Sequence, residues 1–120
     1  MAEILVVEDA PLQRTIIRRF LQPTHTVVAF ADGESEAVRL ASEHDPDVVI
    51  MDLDLLEGDG IAATGRIRSQ PPEPKVIVST AIVSDDVEER AKEIPVEAYL
   101  VKPYSERELL DTIGRALQSE

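Results

Sequence analysis

Five short apolar runs punctuate the chain, at Ile4–Val7, Thr26–Phe30, Val48–Leu53, Val76–Ser79 and Ala98–Val101. They are rich in Val and Ile, too short for helices and bounded by polar or turn residues, so each is expected to be a β-strand. Four are nearly continuously apolar, the pattern of strands covered on both faces. Between the runs the apolar positions change to helical spacing. Leu12, Ile16, Ile17, Phe20 and Leu21 mark a first helix, with Pro11 suited to its opening turn. Ala37, Val38, Leu40 and Ala41 mark a second, which stops before Pro46. Ile61, Thr64 and Ile67 mark a third, ending before Pro71 and Pro72. Val87 and Ala91 mark a fourth, with Ser84 as N-cap and Asp85 and Asp86 in its first turn. Leu109, Leu110, Ile113 and Leu117 mark a fifth, opened by the capping box Ser105-x-x-Glu108. Five βα units with short connections call for an α/β fold: a doubly wound, five-stranded parallel sheet of flavodoxin-like order 2-1-3-4-5, with five helices on its two faces and one domain over residues 1–120.

Composition narrows the function classes. Hydrophobic residues make up 43% of the chain and aromatic residues only 3%, so the core is aliphatic. The absence of cysteine excludes disulfides, thiolate metal sites and a cysteine nucleophile. The first apolar run is too short for a signal peptide or a membrane span, which makes a cytoplasmic protein with no membrane partner the expectation. Twelve basic against 24 acidic residues give a net charge of −12, a surface that repels nucleic-acid phosphates. Most of that excess is accounted for by a solvated acidic surface. The sharper question is whether carboxylates converge on one point.

In an open α/β sheet, ligands bind beyond the carboxyl ends of the strands. There the first strand ends in Glu8-Asp9, the third near Asp52 with Asp54 beyond it, the fourth in Ser79-Thr80 and the fifth in Lys102-Pro103. The first and third strands are neighbours at the switch point, so three carboxylates, a hydroxyl and an ammonium share one rim. Carboxylates about 4 Å apart repel by about 4 kcal/mol per pair at an effective dielectric of 20. Either one is protonated or a cation binds. Oxygen-only ligation suits Mg²⁺ (or Mn²⁺). Asp52 is then placed to act as a nucleophile toward phosphorus, with Lys102 and Thr80 holding phosphoryl oxygens. Each residue also has a plainer role: Asp9 as a cap of the first helix, Thr80 as an ordinary strand residue, Lys102 as a surface lysine, Asp54 as a solvated loop acid. The agreement of four strand ends favours the site.

These segments, ILVVED (Ile4–Asp9), DVVIMDLDL (Asp47–Leu55), Asp59-Gly60, VIVSTA (Val76–Ala81) and YLVKPY (Tyr99–Tyr104), resemble the receiver domain of bacterial two-component response regulators, the single-domain chemotaxis regulator among them. The resemblance spans the chain. It implies a regulatory domain rather than a turnover enzyme, with Asp52 as phosphoacceptor and Asp9, Glu8, Asp52 and the backbone carbonyl of Asp54 around the metal. It further implies Thr80 as the hydroxyl that moves toward the phosphoryl group, Tyr99 as the aromatic switch that follows it, Lys102 as the phosphate-binding lysine and a cis Lys102–Pro103 bond. Spacing to Ala81 favours Thr80 over Ser79. The implied partners are a sensor histidine kinase or phosphotransfer protein and a downstream protein effector. Leu56 stands where the family usually has proline, and Ile94-Pro95-Val96 replaces its usual Gly-Ala region. A charged Asp54 is expected either to alter metal affinity and phosphoryl lifetime or to be a bystander.

Four other readings compete. Asp52-x-Asp54 resembles the nucleophile pair of haloacid dehalogenase-type phosphohydrolases, but no adjacent acid pair follows Lys102. Gly58-x-Gly60-x-x-Ala63 matches a relaxed dinucleotide fingerprint, although Glu57 and Asp59 would repel a pyrophosphate. A calcium loop from Asp52 fails at Leu56 and Glu57, where a ligand and a glycine are needed. A degenerate receiver would keep the fold and serve only as a binding module.

Overall fold

The computed structural model describes residues 2–53, 57–81 and 96–118. All five apolar runs are strands, and four of the amphipathic stretches are helices: β1 (Glu3–Val7), α1 (Pro11–Leu21), β2 (Thr26–Ala31), α2 (Glu34–His44), β3 (Val48–Asp52), α3 (Gly60–Arg68), β4 (Lys75–Thr80), β5 (Ala98–Val101) and α4 (Glu106–Gln118). Strand ends differ from the expected bounds by a residue because pairing with neighbouring strands, not hydropathy, decides where a ladder stops. The fourth expected helix, with Ser84, Asp85, Asp86, Val87 and Ala91, lies outside the described residues, so four helices rather than five stand among them. The strands form one parallel sheet in the order β2-β1-β3-β4-β5.

Alternation along each strand sorts the core into two halves. Ile4, Val6, Val48, Ile50, Ile77 and Leu100 face α1 and α4, where Ile17, Leu21, Leu109 and Ile113 complete a fully aliphatic cluster. Leu5, Val7, Val49, Met51, Val76 and Val78 face α2 and α3, meeting Ala37, Val38, Ala41, Ala63 and Ile67. Two expected core positions are on the surface instead: Leu12 is 70% exposed and Leu117 is 40% exposed. They lie at the margins of their helical stripes, and the shorter Ala116 takes the core contact on α4.

Helix ends follow local chemistry. Pro11 opens α1, and Ala10, not Asp9, is its N-cap residue. At α4 the capping box forms as expected: Glu108 N–H donates to Ser105 Oγ at 3.0 Å and Ser105 N–H to Glu108 Oε1 at 3.3 Å. None of the helices among the described residues is long and apolar enough to cross a membrane.

Candidate functional site

The same alternation that builds the α1/α4 core aims the polar residues that follow it. Ile4 and Val6 lead to Glu8, Val48 and Ile50 to Asp52, Ile77 to Ser79, and Ala98 and Leu100 to Lys102. The ladder carries on past the strand ends: Glu8 N–H donates to Ala31 O at 3.0 Å, Leu53 N–H to Ser79 O at 3.3 Å and Lys102 N–H to Thr80 O at 2.9 Å. The rim is therefore anchored by backbone before any side chain acts.

On that rim the Lys102 ammonium lies 2.7 Å from Glu8 Oε1 and 3.3 Å from Asp52 Oδ2. Glu8 is 2% exposed and Asp52 3%, so both carboxylates are inside the protein. Glu8 uses its other oxygen to accept from Ala10 N–H at 3.2 Å. Glu8, Asp9 and Asp52 each present an oxygen within 4.8 Å of the others. At that spacing two carboxylates repel by about 3 kcal/mol at an effective dielectric of 20.

Three carboxylates against one ammonium leave an excess of two negative charges, and the titration directions agree with that excess. Burial, opposed by the Lys102 hydrogen bond and reinforced by the Asp52 charge, raises the Glu8 pKa above the ordinary carboxylate value. Burial acts to lower the pKa of Lys102, but the hydrogen bond it donates to Glu8 and the charges of Asp52 and Glu8 outweigh it and the net direction is up. The shift on Glu8 taken alone suggests a weak ion pair, and that on Lys102 a strong one. Both directions fit one geometry: burial disfavours the Glu8 carboxylate, while the neighbouring carboxylates favour the charged Lys102 ammonium.

A divalent cation fits this donor set. The ligand oxygens of an octahedral Mg²⁺ ion, at about 2.1 Å each, lie at most about 4.2 Å apart, close to the spread found here, and two positive charges match the excess. Asp9, Asp52 and, behind them, Glu8 are the residues that would hold it. Asp54, whose backbone carbonyl was expected to join them, and Leu56 lie outside the described residues.

The remaining expected residues are distributed around the rim. Thr80 ends β4 and is 8% exposed; following Val76 and Val78 in alternation, it belongs to the α2/α3 side of the sheet. In-register pairing sets Ser79, not Thr80, beside Asp52. Tyr99 lies on β5, 48% exposed. The Lys102–Pro103 bond is cis, as the resemblance implied. Sequence reasoning missed Arg14, which donates to the Glu8 carbonyl, pairs with Asp32 and lies over the Phe30 ring. Its only signal is a basic residue one turn into the helix after the Glu8-Asp9 pair.

Gly60 and Asp59 explain the Asp-Gly step. A Cβ on Gly60 would lie 2.6 Å from the Asp52 carbonyl, so only glycine lets α3 start against the end of β3. Asp59 caps α3, accepting from Ile61 N–H at 2.8 Å and Ala62 N–H at 3.4 Å. A carboxylate thus occupies the helix amides that a pyrophosphate would need, which removes the dinucleotide reading. Asp59→Ala is expected to cost about 1 kcal/mol of unfolding free energy in urea titration, the usual value of such a cap; no change would mean that the amides are satisfied by water.

Comparison with known proteins adds family context. Residues 4–114 match the sequence profile of the response regulator receiver domain. Transcriptional regulatory protein LiaR of Bacillus subtilis is 38% identical over 123 residues, which cover 100% of this chain and 58% of LiaR. Chemotaxis protein CheY of Halobacterium salinarum is 29% identical over 115 residues, 96% of each chain. The receiver domain of the sensor histidine kinase PA1611 from Pseudomonas aeruginosa superposes with a TM-score of 0.90 at 31% identity, covers 98% of both chains and carries a magnesium ion coordinated in its active-site cleft. The chain spans little more than half the length of LiaR and nearly all of the chemotaxis protein.

Proposed function

The chain belongs to the response regulator receiver family, regulatory domains that work as phosphorylation-dependent switches in two-component signalling, and from that premise we propose that Asp52 is the residue phosphorylated. The observation that carries this is the Lys102 ammonium held at 2.7 Å from Glu8 and 3.3 Å from Asp52, inside a cluster of three carboxylates able to take a cation. An Asp52 oxygen forms the new bond to phosphorus as the bond from phosphorus to the donor breaks, and the donor leaves with the electron pair. Bound Mg²⁺ supplies charge neutralisation for the phosphoryl oxygens. Lys102 is already at the acceptor and shifts from carboxylate to phosphoryl oxygen. Asp52 is buried, so the reacting oxygen is shielded from bulk water.

The donor is a phosphohistidine on a sensor histidine kinase or phosphotransfer protein, and the setting is the cytoplasm. The readout runs through Thr80, which ends β4, and Tyr99 on β5. Thr80 is drawn toward the phosphoryl group and Tyr99 follows, changing the surface that a downstream protein effector binds. The phosphohydrolase alternative gains nothing from the geometry: Glu106 and Glu108, the first acids after Lys102, sit exposed on the first turn of α4.

The test is incubation with acetyl phosphate and Mg²⁺, followed by intact mass. Wild type is expected to gain one phosphoryl group and Asp52→Asn none. A labelled Asp52→Asn protein, or an unlabelled wild type, ends the assignment.

A further inference from the structure

Two buried hydroxyls beside the acceptor have no part in the reading above. Ser79 is 2% exposed and pairs in register with Asp52 on one side and Leu100 on the other. Tyr104, two residues beyond Lys102, packs its ring against the α1/α4 core cluster. Among the described residues, Ser79 Oγ and Tyr104 Oη are the buried side-chain polar atoms that lack a hydrogen-bond partner. They are near neighbours: a weak hydrogen bond with Ser79 acts to lower the phenol's pKa, but the pair falls outside the geometry of a well-formed hydrogen bond. Burial is the larger influence and raises that pKa, so Tyr104 remains a neutral donor and acceptor; Lys102, Glu8 and Asp52 are all close enough to act on it.

A buried hydroxyl without a partner costs stability, and two together, beside a reactive aspartate, call for a partner that arrives in another state of the protein. The candidate partner is at hand. An ammonium has three N–H donors, and Lys102 gives two of them to Glu8 and Asp52.

We propose that Ser79 and Tyr104 are positioning residues, which together accept the third N–H of Lys102 when the ammonium shifts from the carboxylates to a phosphoryl oxygen, and so aim it there. The hydroxyls are unpaired in the resting protein because the ammonium is then held by Glu8. The inference rests on the reading of Asp52 as acceptor and deepens it.

The test compares wild type, Tyr104→Phe, Ser79→Ala and the double variant in acetyl phosphate labelling, at saturating Mg²⁺ and varied donor. Tyr104→Phe keeps the ring and its packing. Each single variant is expected to lower the maximal labelling rate about three- to tenfold, the range of one ordinary hydrogen bond. The double variant should lose no more than about the larger single loss, because the hydroxyls act as one unit. Mg²⁺ affinity should be unchanged and the melting temperature unchanged or raised, since an orphan hydroxyl has been removed. Labelling at the wild-type rate with a lowered melting temperature would show that the hydroxyls simply bond each other, and overturns the proposal. An unlabelled wild type overturns the acceptor assignment instead, and the proposal with it.

Discussion

Lys102→Met will destabilise the metal-free protein by about 3 kcal/mol in urea unfolding, at the lower end of the cost of breaking a buried ion pair. The Lys102 side chain is 14% exposed, those of Glu8 and Asp52 3% and 4%, so solvent screens little of the loss. Methionine replaces the aliphatic stem but leaves two buried carboxylates without their counter-charge. The cost stays at the lower end because Glu8, whose pKa is already raised by burial, takes up a proton instead of remaining charged. The variant should also bind Mg²⁺ more tightly than wild type, because a competing positive charge has gone, and label poorly because the phosphoryl oxygens lose their ammonium. A loss below about 1 kcal/mol would place the pair among solvent-screened ones and weaken the case for a dry acceptor site.

Magnesium itself should stabilise the fold. A ligand that binds only the folded state adds about 2.7 kcal/mol at a concentration one hundred times its dissociation constant. The unfolded chain cannot bring Glu8, Asp9 and Asp52 within 4.8 Å of one another, so the gain belongs to the native state. Asp9→Asn keeps the volume and removes one negative charge at a half-buried position. Its Mg²⁺ affinity is expected to fall by at least about tenfold, equivalent to about 1.4 kcal/mol, while its metal-free stability rises slightly through relief of repulsion. Thermal unfolding with and without Mg²⁺ reads both effects. Equal Mg²⁺ stabilisation of wild type and Asp9→Asn would remove Asp9 from the ligand set.

Recognition of the fold needed little beyond hydropathy. The Val- and Ile-rich runs could be buried only as covered strands, and their separation by helical stretches left a parallel sheet as the economical topology. Leu12 and Leu117 misled for one reason: helical spacing marks a stripe about its centre but not which edge of it a neighbouring helix covers. The Asp9 cap misled because any acid before Pro11 satisfies the local pattern, while the observed backbone puts Ala10 at the cap. Asp59 had no such ambiguity once its carboxylate was seen on the α3 amides.

The chain by itself determined which residues are candidates for the chemistry, because charged groups at the ends of apolar strands have few reasons to be there and Glu8-Asp9, Asp52 and Lys102 stand at three such ends. It also determined the strands' share of the core, since a continuous apolar run is a local property. Tertiary structure alone decided which of these groups meet. Strand order puts Glu8 beside Asp52, and in-register pairing puts Ser79 rather than Thr80 beside Asp52. Lys102, directly after β5, reaches Glu8, 94 residues away in sequence. Distances of a few ångströms between residues so far apart depend on register and packing, to which local patterning contributes nothing, and those distances make a metal and a phosphoryl group chemically sensible at one rim.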